Sequence, residues 1–228
     1  MASTARSTSP SRSRRRAAPE PQGTLLLLVR HGQTPTTGTT LPGRAKGLHL
    51  SDVGHAQAGE VATRIAGLSG VAAIYASPLE RTRETAAPIG KALGLKVATH
   101  RGLLECDFGD WTGGELAKLR KLPEWQTVQR HPSGFRFPGG ESFPEMQTRM
   151  VSTLDALAAA HRGSTVVAVS HADPIKAAVA HAMGTHLDLF QRIVISPCSV
   201  SAILRTPTGP IVLAVNSTGD DLKALVPS

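Results

Sequence analysis

The sequence predicts an α/β fold, a three-layer sandwich in which a mainly parallel sheet carries helices on both faces. Three observations lead to it. Short, almost wholly apolar runs recur at Leu25–Val29, Ala72–Ala76 and Thr165–Ser170, as strands covered on both faces require. Segments with helical start signals separate them. The last stretch, interrupted by "TPTGP", breaks into shorter strand-like runs, one of which is expected to run antiparallel.

Along the 228 residues, positions 1–22 come first. They hold five arginines against the single acid Glu20, which gives +4 of the chain's net +8. Rich in Ser, Arg, Ala and Pro and without apolar periodicity, they predict a disordered, solvated tail. Their Arg- and Ser-rich, acid-poor composition also overlaps that of organelle transit peptides. Residues 23–220 read as one folded domain, with 221–228 as a short C-terminal tail. Ser51 is expected to open a helix reaching about Ile65. "SPLE" offers Ser77 as N-cap with Pro78 at the first helical position. "TGGE" (Thr112, Glu115) and "SFPE" (Ser142, Glu145) show the capping-box spacing. "DPIK" sets Asp173 at the mouth of a helix reaching about Met183. Arg192–Ile195, Ser199–Arg205 and Ile211–Asn216 are expected to finish the sheet.

Composition excludes several classes. No apolar run approaches the roughly 20 residues a bilayer span needs. Cys106 and Cys198 are too few and too far apart for a disulfide framework or a zinc site, so a reducing, cytoplasmic setting is expected. The folded part offers no nucleic-acid motif. "DFG" at Asp107–Gly109 lacks the companion blocks of a kinase. Lys118, Arg120 and Lys121 read as a solvated basic face, and Trp111 and Trp125 as packing anchors.

Ligands of open α/β sheets bind beyond the carboxyl ends of the strands. There the three apolar runs deliver Arg30-His31-Gly32, Ser77 to Arg81, and Ser170-His171-Ala172-Asp173. Two guanidiniums beside helix starts make a site for a phosphoryl dianion. A neutral histidine is a competent nucleophile, and flanking arginines disfavour its cation. Gly32 is expected to let phosphate approach the backbone. A leaving alkoxide needs a proton, and Glu105, set among Leu103, Leu104 and Phe108, is the candidate donor because burial raises a carboxyl pKa.

Five ordered blocks carry a resemblance: "VRHGQT" (Val29–Thr34), "SPLERTRETA" (Ser77–Ala86), "LLECDFGDWTG" (Leu103–Gly113), "FPGGES" (Phe137–Ser142) and "VSHADPI" (Val169–Ile175). With "GRAKGLHLSDVGHAQA" after the first, they are similar to the histidine phosphatase, or phosphoglycerate-mutase-like, superfamily. A subgroup of actinobacterial phosphomutases and phosphatases is a weaker match. The resemblance implies His31 as the residue phosphorylated, Glu105 as proton donor, and Arg30, Arg81 and His171 as phosphoryl holders. It implies no metal and no cofactor. Thr37 stands where the family often has asparagine, and Ala172-Asp173 where it has a small pair; Asp173 is expected to cap its helix. Thr34 and Thr37 are candidate substrate contacts. Arg44 either reaches substrate or forms an ion pair. The stretch from Glu105 to His171 is shorter than in true phosphoglycerate mutases. The expected function is therefore hydrolysis of a small phosphorylated metabolite, with mutase activity second and an idle phospho-ligand binder third. Sugar phosphates, phosphoglycerate derivatives, nucleotides and cofactor phosphates all fit.

Overall fold

The computed structural model describes residues 23–219; the expectations for residues 1–22 and 221–228 lie outside them. The main sheet has six strands: β1 (Thr24–Arg30), β3 (Val71–Ala76), β4 (Val97–Thr99), β6 (Thr165–Ser170), β7 (Val200–Thr206) and β8 (Gly209–Ser217), in the order β4-β3-β6-β1-β7-β8. The short strands β2 (Thr40–Leu41) and β5 (Gly114–Glu115) pair separately. β4, β3, β6 and β1 are mutually parallel, and β7 runs against both its neighbours. This is the mainly parallel, three-layer α/β arrangement expected, with one reversed strand.

Register does the positioning. Val29 lies opposite Val169 on β6, and Ala76 lies opposite the same Val169 from the other side. The three strands therefore stop level with one another. The residues that follow each stop meet at one edge.

Alternation along β1 builds both halves of the core, because successive strand side chains face opposite sides. Leu25, Leu27 and Val29 pack with Val61 and Ile65 of α1 (Asp52–Ala66) and Ala86 and Ile89 of α2 (Glu80–Leu93). The helices of the chain's middle are α3 (Leu116–Leu119), α4 (Pro123–Arg130) and α5 (Phe143–Ala160), and α6 (Ala172–Ala182) follows β6. Leu26 and Leu28 face Met150 and Leu154 of α5 and Ile175 and Val179 of α6. A third, aromatic cluster of Phe108, Trp111, Phe137, Phe143 and Phe190 supports the loops beside the sheet edge. No helix among the described residues is long and apolar enough to cross a membrane.

Two helix starts form as the sequence predicts. Ser51 accepts from the Gly54 amide, and Ser142 with Glu145 closes a reciprocal capping box. Others differ. α2 begins at Glu80 with Leu79 as N-cap and no side-chain cap, because the Ser77 hydroxyl is engaged elsewhere. Thr112 is not an N-cap; it closes the 3-10 turn Gly109–Trp111, while Gly114–Glu115 form β5 and the short α3 starts after them. Asp173 sits inside the first turn of α6 rather than capping it, and its carboxylate faces Lys176 at 3.4 Å. Arg192–Ile195 form no strand. The Ile195 carbonyl accepts from Arg30 Nη1 at 2.6 Å, so that backbone group is committed to a guanidinium instead of a ladder.

Candidate active site

His31 follows β1 and is only 5% exposed. Its amide donates to the Ser170 carbonyl, fixing the backbone to β6. Nδ1 lies 2.7 Å from the Gly32 carbonyl. A carbonyl can only accept, so Nδ1 carries the proton and Nε2 keeps a free lone pair. Burial, then Arg81, then Arg30 push the imidazole pKa well below its ordinary value. The ring is therefore neutral near pH 7.

Packing requires a glycine at position 32. A Cβ there would stand 2.6 Å from the Gly54 carbonyl oxygen of α1, and a Cβ on Gly54 would stand 2.0 Å from the Gln33 carbonyl oxygen. Two backbones touch here, and the loop behind the histidine is clamped. The Gly32 amide donates to Thr85 Oγ1 on α2 at 3.0 Å.

Arg81 and His171 are fully buried. Arg81 Nη2 donates to the Gly43 carbonyl at 2.8 Å and approaches His171 Nδ1 at 3.2 Å. The His31 and His171 rings stand edge to face with centroids 5.2 Å apart. Arg30 Nε and Arg81 Nε and Nη1 are buried without a hydrogen-bond partner among the described residues. Unmet buried donors are costly, and three beside two imidazoles match an anion with several acceptor oxygens.

Glu105 completes the group. It is 7% exposed, and burial followed by the nearby Asp173 carboxylate raises its pKa to about 7 against the pull of Arg81 and Arg30. Its backbone is braced from three sides. Ser170 Oγ donates to the Leu103 carbonyl. Arg149 of α5 donates to the carbonyls of Gly102, Leu104 and Glu105, and Arg44 Nε donates to the Glu105 carbonyl at 2.9 Å. Glu141 ties both arginines together, while Asp107 takes the remaining face of Arg44.

The structure thus gathers Arg30, His31, Arg81, Glu105 and His171 at one sheet edge. Arg30, His31, Thr34, Thr37 and Glu105 line a cavity of about 400 Å³; Arg81 and His171 are buried outside that lining, with His171 beside His31. Thr34 and Thr37 hydrogen-bond each other at 3.0 Å, so they shape the cavity wall. Arg44 belongs to the ion-pair alternative. Sequence reading missed Arg149, Glu141 and Thr85. Thr85 carried a signal, since it follows Arg81 by four positions on one helix face; Arg149 carried none. Away from Arg30 and His31 the cavity is lined by Leu41, Phe108, Leu116 and Ile193, together with the polar Asp173, Lys176 and Gln191.

Comparison with known proteins bears on the family and the fold. The Bifunctional protein Rv2228c of Mycobacterium tuberculosis is 33% identical over 198 residues, covering 86% of this chain; the chain spans 54% of that protein's length. Phosphoserine phosphatase 1 of Hydrogenobacter thermophilus is 31% identical, with 85% and 92% of the two chains covered. Among solved structures, a phosphoserine phosphatase from Entamoeba histolytica, in complex with 3-phosphoglyceric acid, superimposes with a TM-score of 0.77 at 26% identity over 86% of this chain and 98% of that one. A mycobacterial glucosyl-3-phosphoglycerate phosphatase shares the fold at a TM-score of 0.78 and 23% identity, over 86% and 100% of the two chains. The sequence signature of the histidine phosphatase superfamily, branch 1, matches residues 26–218. The chain belongs to the histidine phosphatase superfamily.

Proposed function

We propose that the protein is a metal-independent phosphomonoesterase that hydrolyses a small phosphorylated metabolite through a phosphohistidine on His31. The observation that carries this reading is the neutral, Nε2-exposed imidazole set beside three unpartnered guanidinium donors. The guanidiniums neutralise the equatorial oxygens of the phosphoryl group, whose charge dominates the barrier. His31 Nε2 bonds to phosphorus as the ester P–O bond breaks. Glu105, protonated below about pH 7, delivers its proton to the departing alkoxide. The carboxylate then takes a proton from a water whose oxygen attacks the phosphohistidine. Inorganic phosphate leaves, and both side chains return to their starting states.

Transfer to a second hydroxyl in place of water is the mutase alternative. The relatives include a protein named as a probable phosphoglycerate mutase, from Yersinia enterocolitica, 31% identical over 78% of this chain and 83% of its own. The short stretch between Glu105 and His171 favours water. An idle phospho-ligand binder is disfavoured because nucleophile and proton donor are both retained.

Rapid quench with a labelled phosphomonoester is expected to trap phosphate on His31 that is acid-labile and base-stable. A His31→Ala enzyme with full turnover would overturn the reading. Screening phosphomonoesters against free hydroxyl acceptors separates hydrolysis from transfer.

A further inference from the structure

His171 has a proton-counting problem. Its Nε2 lies 2.9 Å from Ser77 Oγ and its Nδ1 lies 3.2 Å from Arg81 Nη2. Ser77, Arg81 and His171 are all fully buried, and the first two side chains are the partners that face the ring nitrogens. A guanidinium only donates. In the free protein, therefore, Nδ1 is the accepting nitrogen, Nε2 carries the hydrogen, and Ser77 Oγ accepts it. Nδ1 is also the nitrogen on the guanidinium side. A phosphoryl oxygen taken up there displaces Nδ1 as the acceptor for Arg81, and to hold that oxygen the imidazole must present an N–H from Nδ1.

A neutral ring has one hydrogen. Burial and then Arg81 hold the His171 pKa well below its ordinary value, so a doubly protonated ring is disfavoured. Moving the hydrogen to Nδ1 leaves Nε2 bare and in need of a donor. Only a group that can both accept and donate from one position serves the two states, and a hydroxyl is such a group.

We infer that Ser77 is a positioning residue whose reversible hydroxyl lets His171 exchange tautomers when an anion enters, from Nε2–H in the free protein to Nδ1–H in the phosphoryl complex. It also accounts for Ser77 failing to cap α2. The inference deepens the proposed phosphatase reading and rests on its phosphoryl site.

The ring nitrogens of His171 in 15N-labelled protein, titrated with inorganic phosphate at pH 7, test it without any substitution. The expected result is a protonated Nε2 in the free protein and a protonated Nδ1 at saturation. A His171 that keeps one tautomer throughout while phosphate binds overturns the inference. Ser77→Ala is expected to weaken phosphate binding roughly 10- to 100-fold, as loss of a hydrogen bond supporting a charged group does. Ser77→Thr is expected to restore most of it. Binding by Ser77→Ala at the unsubstituted affinity, in protein of unchanged urea midpoint, also overturns it. The two readings fail separately: a tautomer exchange with bound phosphate but no turnover sinks the phosphatase and supports the relay, whereas trapped phosphohistidine with a fixed tautomer does the reverse.

Discussion

Arg44 reaches across from the loop after His31 to donate its Nε hydrogen to the Glu105 carbonyl at 2.9 Å. One guanidinium thereby ties the segment of the nucleophile candidate to that of the candidate proton donor. It holds Glu105 through the backbone and leaves the carboxyl alone, whose Oε1 accepts from the Cys106 amide at 3.0 Å.

Replacing Arg44 with methionine keeps the aliphatic stem and removes the tie. Turnover is expected to fall about tenfold, the equivalent of one weakened charge-assisted hydrogen bond, with little change in KM for phosphate-bearing substrates. Steady-state kinetics on one phosphomonoester read this directly. A raised KM at constant kcat would instead make Arg44 a substrate contact.

Glu105→Gln is expected to cut turnover by roughly 10²- to 10⁴-fold on alkyl phosphates, and far less on p-nitrophenyl phosphate, whose leaving group needs no proton. It should also stabilise the protein at alkaline pH. In the unfolded chain the carboxyl ionises near its model value of 4.5, whereas in the fold it holds its proton to about 7. The unfolded state sheds the proton first. The stability Glu105 lends is complete below about pH 4.5 and is lost as pH rises through 7, roughly 3 kcal/mol in all at 1.36 kcal/mol per pH unit. Thermal melts of the two proteins are expected to coincide near pH 4.5 and diverge at pH 8, with the glutamine form higher. Parallel curves would reject a buried, proton-holding Glu105.

The same states predict a bell-shaped dependence of kcat/KM on pH. Its acid limb reports His31, displaced below the ordinary histidine value by burial and two arginines. Its alkaline limb, near 7, reports Glu105. Asp173 is the second cause of the raised Glu105 pKa, so Asp173→Asn is expected to move the alkaline limb downward and leave the acid limb in place. Movement of the acid limb alone would assign the coupling wrongly.

Gly54→Ala is expected to destabilise the fold by about 1–3 kcal/mol, as overpacking does. The intruding methyl meets the Gln33 carbonyl oxygen, which is backbone and cannot swing aside. Activity should fall in the protein that remains folded, because the displaced loop carries His31. Urea denaturation and residual kcat measure the two effects.

How much of this was legible beforehand depended on whether a feature was local. The buried strands β1 and β6 and the Ser51 and Ser142 caps rest on spacing within a few residues, and they formed as read. β3 formed where its apolar run lies, but only Ile74 and Ala76 of it are buried, so it is not the strand covered on both faces that was expected. The site residues sit where apolar runs end in polar triplets, which made the sheet edge visible. Ser77 shows the limit: its local context spells a helix cap, yet a histidine 94 positions away takes its hydroxyl. Asp173 was likewise drawn from capping to Lys176 and the cavity. Arg149 supports the Glu105 loop through three carbonyls, and carbonyl partners leave no mark in side-chain patterns.

The level ending of β1, β3 and β6 has a consequence for how the molecule comes into being. Arg30, Ser77 and His171 are drawn from distant parts of the ribbon, so the cup is incomplete until β6 slots between its neighbours: only then does His171 meet Arg81 and stand beside His31. Seating the last central strand and assembling the cup are thus one event, and a chain frayed at β6 has no complete cup.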